Sequence, residues 1–156
     1  MTLMDGSLDE LETNIILALQ DDARKSFKSI AKDLNVSEGT ISNRVNRLIQ
    51  KGILKLEARV NPFVLTSKVA ALLGINLKHR THIEALAEIR ALPNVNAVWV
   101  TTGKYDIFVE VLADSINDLN EFLFSKEGLS KIKDIEFTET HIMLQSDTKF
   151  FKISNT

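Results

Sequence analysis

Three residues, Asn35-Val36-Ser37, separate the apolar set Phe27, Ile30, Ala31 and Leu34 from the apolar set Ile41, Val45 and Leu48. Both sets recur at helical spacing, so one helix must end and another begin inside that triplet. The residue types suit the task. Asn tolerates a left-handed backbone, Val36 can drop into a core, and Ser37 is a good N-cap. Ser26 is placed to cap the first of these helices. Upstream, Leu8, Leu11, Ile15, Ile16 and Leu19 define an amphipathic helix over residues 8–20. Gly52 ends the series, and residues 53–60, ILKLEARV, predict an extended wing or strand. Helix, tight turn and helix within about 25 residues is the helix-turn-helix arrangement.

The last of these helices has an unusual exterior. With Ile41, Val45 and Leu48 turned inward, Asn43, Asn46, Arg47, Gln50 and Gly39 fall on the outward side. Thr40 and Ser42 lie at its margins, and Arg44 sits beside the buried stripe. Solvated helix faces favour Glu and Lys, because Ser, Thr and Asn compete for the backbone and form helix poorly. A DNA major groove gives such a face a use. Asn and Gln pair with adenine, Arg with guanine, and Thr methyls pack on thymine. Small side chains also allow close approach, where Glu would repel phosphate. Lys25, Lys28, Ser37, Thr40, Ser42, Asn43, Arg44, Asn46, Arg47 and Lys51 therefore form the candidate DNA-binding set, with Arg47 and the asparagines on bases. Arg44 and the lysines meet phosphate. An intramolecular ion pair is the other use for an arginine placed like Arg44.

Charge follows the same division. Net charge is −2, but residues 1–23 carry six acids and no base. Residues 24–59 carry nine bases against three acids, a local excess of six positive charges. The positive charge thus surrounds the polar helix.

Residues 68–145 have a different texture. VAALLGINL (69–77), NVNAVWVTT (94–102), YDIFVEVLA (105–113) and IEFTETHIML (135–144) read as strands. Gly103-Lys104 joins the middle pair in a tight hairpin. A capping box, Thr81 with Glu84, opens a helix that ends at Leu92 before Pro93. Ser115 caps a second helix carrying Ile116, Leu119, Phe122 and Leu123, which Gly128 helps to end. The order is βαββαβ, the ferredoxin-like plan. Helices cover one sheet face, and the other keeps apolar positions for a partner. The tail after Gln145 either pairs with a sheet edge or frays. The expected organisation is α+β: a winged-helix-like helix-turn-helix domain over 1–60, a hinge over 61–67 begun by Asn61-Pro62, and a ferredoxin-like domain over 68–156.

With these motifs assembled, the chain resembles the Lrp/AsnC family, the leucine-responsive or feast/famine transcription regulators. The resemblance spans residues 8–145. It is carried by Leu8-Asp9, Ala23-Arg24, Ile30-Ala31, Ser37 with Thr40, Arg44-Val45, Leu48, Gly52-Ile53 and the Gly103–Asp106 turn. Glu12 departs from it, where a second aspartate is common, and so does Asn35, where glycine is common. The resemblance implies a homodimer joined through its sheets, assembling further to a tetramer or octamer. It also implies double-stranded DNA with a pseudo-palindromic operator as a partner, and an amino-acid effector bound between dimers. The matching effector positions are Thr101, Gly103, Tyr105 and Asp106, with Thr138 and Thr140 of the last strand. A glycine turn offers backbone amides to a carboxylate, and Asp106 offers a carboxylate to an ammonium. The same residues also suit a plain hairpin, with Gly103 in the turn and Asp106 capping it.

Other classes find little support. There are no cysteines, which removes thiolate metal sites and cysteine nucleophiles. His79 and His82 are one residue short of a helical zinc pair and lack further ligands, and His141 reads as an interface residue. No G-x-G-x-x-G, P-loop or G-x-S-x-G sequence occurs. The expectation is a cytoplasmic non-enzyme without cofactor, metal or membrane span. An architectural DNA-compacting protein and an amino-acid-sensing subunit of a metabolic enzyme are the alternatives.

Overall fold

The computed structural model describes residues 8–65, 67–78 and 83–153. Two compact units part between Glu57 and Ala58.

The N-terminal unit is built from α1 (Glu10–Asp21), α2 (Phe27–Asp33) and α3 (Glu38–Gln50). Each begins on a side-chain cap. Asp9 accepts the Glu12 amide in a reciprocal capping box, Ser26 accepts the Ser29 amide, and Ser37 accepts the Thr40 amide. The turn between α2 and α3 takes the expected form. Asn35 has φ 56°, its N–H bonds Lys32 O at 3.3 Å, and the Val36 N–H bonds Ala31 O at 3.0 Å. That pairing satisfies the carbonyls at the end of α2 and swings Val36 against the core. Gly52, with φ 69°, closes α3 in the same way. Ile15, Leu19, Ile30, Ala31, Ile41 and Val45 form the core of this unit. The expected wing is not a strand. Residues 54–59 are irregular, because no second strand of this unit pairs with them among the described residues.

The second unit holds β1 (Val69–Leu77), α4 (Ile83–Ala91), β2 (Val95–Val100), β3 (Ile107–Ala113), α5 (Ile116–Phe124) and β4 (Ile135–Ile142). The sheet order is β2-β3-β1-β4 with every pair antiparallel. This is the βαββαβ plan. Ser115 caps α5 as expected, whereas Thr81, His82 and His79 lie outside the described residues. Alternation along the strands splits the sheet into two faces. Ala71, Leu73, Ile75, Ile107, Val109 and Val111 face the helices and pack on Ala85, Ile89, Leu119 and Phe122. Gly128 lies against the end of α5, where a Cβ would stand 2.2 Å from Phe122 O.

The opposite face is partly covered by the chain itself. Phe151 is fully buried against Ala70 and Leu112, with Phe63 and Met143 beside it. Its backbone forms an antiparallel bridge with Val60, and the Lys152 N–H bonds the Asn96 side chain at 2.7 Å. Lys149 Nζ meets Glu110 Oε2 at 2.9 Å, closing over a carboxylate that is 2% exposed. The segment to Phe151 neither extends a sheet edge nor frays, because an aromatic ring finds a pocket on the sheet face. Trp99 and Phe137 stay exposed on that face.

Removing the Phe151 ring leaves a cavity with the surrounding strands in place. Phe151→Ala is expected to destabilise this unit by about 3–5 kcal/mol, and Phe150→Ala, at an exposed position, by much less. Urea unfolding followed by Trp99 fluorescence measures both.

Candidate DNA interface and effector turn

The polar face of α3 is set by what is buried behind it. Ile41, Val45 and Leu48 are at most 1% exposed, which turns Asn43, Asn46 and Gln50 to solvent. Among the described residues these three, with Lys28 and Lys51, have no hydrogen-bond or ion-pair partner. Ser37 and Thr40 are committed to the helix start, their hydroxyl oxygens 2.8 Å apart. Ser42 is half-buried at the margin. Lys25 is paired with Asp33 at 2.8 Å, a bond that raises its pKa.

Arg44 takes the intramolecular ion pair that was its alternative use, and Arg47 departs from the base-reading placement expected of it. Arg44 Nη1 donates to Asp9 Oδ2 and stands 3.5 Å from Glu12 Oε1, and Arg47 Nη2 donates to that same Oε1. Both guanidinium groups therefore turn to the start of α1, and Arg47 is not a free side chain on the outward face. Sequence reasoning did not identify Asp9 and Glu12 as the partners of these arginines. Their Asp-x-x-Glu spacing is a capping-box signal that puts two carboxylates at one helix end, but it does not say which cations meet them. The Glu12 amide, aided by Arg44, holds the Asp9 carboxyl below its ordinary 3.8 although partial burial opposes this. Arg47, aided by the Asp9 amide, holds Glu12 below 4.5 against the same opposition.

In the second unit the connection over 101–106 is longer than a tight hairpin. Gly103 has φ 119°, and the strands stop at Val100 and resume at Ile107. Thr101 N–H bonds Asp106 O at 3.0 Å and the Thr101 hydroxyl bonds Tyr105 O at 2.8 Å. The Asp106 N–H bonds Ile75 O at 3.0 Å, and Asp106 Oδ2 accepts the Leu77 N–H at 3.0 Å. Pairing with β1 thus takes the residue that would have continued the hairpin. Tyr105 lies across Gly74, where a Cβ would stand 2.7 Å from the ring; a glycine inside a strand here marks close approach.

Tyr105 also brings β4 into the site. Its hydroxyl and Lys104 Nζ, the latter at 2.9 Å, both donate to Glu139 Oε2, and His141 Nε2 is 3.2 Å from Glu139 Oε1. Tyr105 first, then Lys104, hold the Glu139 carboxyl below 4.5. Thr138 and Thr140 pair with Ile75 and Leu73, so the pleat turns them to the helix side while Glu139, opposite Gly74, faces Tyr105. Of the residues on β4, Glu139 rather than Thr138 or Thr140 shares the face of the turn.

A three-helix head with an asparagine-rich second helix of its turn motif, joined to a ferredoxin-like body, is the architecture of a DNA-binding regulator with a sensing domain. Residues 8–55 match the winged helix-turn-helix DNA-binding family, and residues 70–149 match the Lrp/AsnC ligand binding domain. The chain belongs to the Lrp/AsnC family of transcription regulators. It is 37% identical over 141 residues to the regulatory protein AsnC of Escherichia coli, covering 89% of this chain and 91% of that one. The HTH-type transcriptional regulator Ptr1 of Methanocaldococcus jannaschii is 38% identical over 120 residues, covering 76% and 81%. The solved structure of E. coli AsnC superposes with a TM-score of 0.68 at 35% identity, covering 97% of this chain and 98% of that one. A Neisseria meningitidis transcriptional regulator, solved as a complex with L-Met, shares the fold with a TM-score of 0.69 at 17% identity, covering 95% and 97%.

The acid pair of the head has a pH signature. Folding lowers both carboxyl pKa values, so the native state binds fewer protons than the unfolded chain. The stabilisation is fully present above the ordinary values of 3.8 and 4.5, and is lost as pH falls through the lower native ones. Hydrogen exchange of the α1–α3 amides should show Glu12→Gln opening more readily than the parent at pH 7, with the difference shrinking as pH falls below 4.5.

Proposed function

We propose that the protein reads a pseudo-palindromic operator as a homodimer, with α3 of each head in a major groove, and that an amino acid bound at the 101–106 turn alters its assembly or DNA affinity. The observation that carries the DNA reading is the exposed, partnerless set Asn43, Asn46 and Gln50 on a helix whose apolar side is fully buried. Amides of this kind reach base edges in the groove, and unpaired Lys28 and Lys51 supply phosphate attraction. A two-fold protein reads half-sites about one helical turn apart, or a multiple of it. Trp99 and Phe137, exposed on the sheet face that the Phe151 segment only partly covers, support joining through the body, with tetramers or octamers built from such dimers. The solved L-Met complex of a fold relative supports an amino acid as effector. The turn offers Thr101, Gly103, Tyr105 and Asp106, with Glu139 as the β4 contribution; Thr138 and Thr140 border the same strand on its other side.

Footprinting upstream DNA, with and without each amino acid, tests the whole reading. Asn43→Ala should cost about 1–3 kcal/mol of operator affinity and relax preference at one position of each half-site. Length-dependent coating with no preferred site would refute sequence-specific reading. For the effector, Asp106→Asn keeps an acceptor for the Leu77 amide while removing the charge. Calorimetry across the amino acids should show binding weakened by about tenfold or more, with operator affinity of the effector-free protein unchanged. Unaltered effector binding would place the ammonium elsewhere.

A further inference from the structure

Arginine is the usual reader of guanine, and α3 carries two of them near its outward face. The structure nevertheless ties both to one place. Glu12 is the centre of that tie: its side chain is 6% exposed, against 30% for Arg44 and 47% for Arg47. One carboxylate oxygen accepts the Asp9 N–H at 3.3 Å in the capping box, and the other meets both arginines. Asp9 is locked in turn, with Oδ1 on the Glu12 amide at 2.8 Å and Oδ2 on Arg44. Two cations and two anions therefore cancel on the flank of α3 that faces the start of α1. Withdrawing Arg47 to a base would leave the nearly buried Glu12 carboxylate with only the Asp9 amide and the more distant Arg44, at 3.5 Å. Removing the nearer partner from such a pair is unfavourable. Asn43, Asn46 and Gln50 carry no such commitment.

We propose that Asp9 and Glu12 are specificity-determining positioning residues of the DNA interface. They withhold Arg44 and Arg47 from the bases, so each half-site is read through Asn43, Asn46 and Gln50 at adenine-bearing pairs rather than through arginine at guanine. The inference rests on the DNA-binding reading above and adds to it which side chains read and which bases they prefer. The acids act through the arginines and touch no DNA themselves.

The test is selection from randomised half-sites with the full-length protein, together with the salt dependence of affinity. The parent should enrich adenine at positions whose preference disappears in Asn43→Ala or Asn46→Ala. Arg47→Ala should leave the base profile within about twofold at every position, as a withheld side chain requires. Glu12→Gln releases the fork. It should add guanine preference, or steepen the slope of log affinity against log salt by about 0.9 per guanidinium that reaches a phosphate. Glu12→Asp, which restores the charge, should bring profile and slope back toward the parent. A merely structural Glu12 would lower stability and change neither. A parent site whose guanine preference collapses about tenfold or more in Arg47→Ala overturns the proposal, since Arg47 then reads. So does a folded Glu12→Gln with the parent's profile and slope. If thermal melting shows Glu12→Gln unfolded, the Arg47→Ala and asparagine profiles decide alone. A parent that binds DNA with no base preference overturns this inference and leaves DNA binding standing, whereas one that binds no DNA removes the DNA-binding reading with it.

Discussion

Burial of Ile41 and Val45 against Ile15, Leu19 and Ile30 fixes the rotation of α3 about its own axis, and every statement about what that helix can touch follows from this rotation. Each such side chain contributes about 1.5–3 kcal/mol when fully buried. That margin matters, because a helix containing Ser42, Asn43 and Asn46 has little intrinsic tendency to form. Packing therefore sustains the helix, the caps at Ser37 and Gly52 delimit it, and the outward side is released from structural duty. Asparagine at positions 43 and 46 is tolerable only because the stripe behind it is complete.

Parity plays in the body the part that rotation plays in the head. Alternation sends Leu73 and Ile75 to the helices and Gly74 to the other side, and the absent Gly74 side chain is what lets Tyr105 lie flat across β1. From there its hydroxyl reaches Glu139, and Lys104 converges on the same oxygen. Register puts Glu139 on that face, and the missing Gly74 side chain leaves room for the Tyr105 ring to reach it. The same face takes Phe151 over Ala70 and Leu112, so the last described residues limit how much of that face is left exposed.

Local chemistry was legible in the sequence and distant pairing was not. The caps at Ser26, Ser37 and Ser115, the left-handed Asn35 and the βαββαβ order all follow from residues within a few positions of one another. Periodicity located the helices and strands and the apolar side of each. The Arg44–Asp9 and Arg47–Glu12 bonds span 35 residues and the Tyr105–Glu139 bond spans 34; no spacing rule connects such positions. The connection over 101–106 was read as a tight hairpin because Gly103-Lys104 suits one, but the Ile75 carbonyl competes for the Asp106 amide and lengthens it. Residues 53–60 have strand-forming composition, yet composition cannot supply a pairing partner.

The pairings also change what the basic window of the head means. Nine bases against three acids over residues 24–59 suggested a broadly cationic surface. In the structure Arg44 and Arg47 meet Asp9 and Glu12, Lys25 meets Asp33, and Lys55 meets Glu57. Lys28, Lys32 and Lys51 remain without partners among the described residues. Counterion release from so few phosphates gives one head limited, salt-sensitive affinity. In the proposed homodimer, linking two heads through the body would make the second engagement intramolecular, which multiplies weak contacts without adding new ones. On that proposal, an effector that shifted how bodies associate would act on DNA affinity through the linkage between heads, with no need to alter α3 itself.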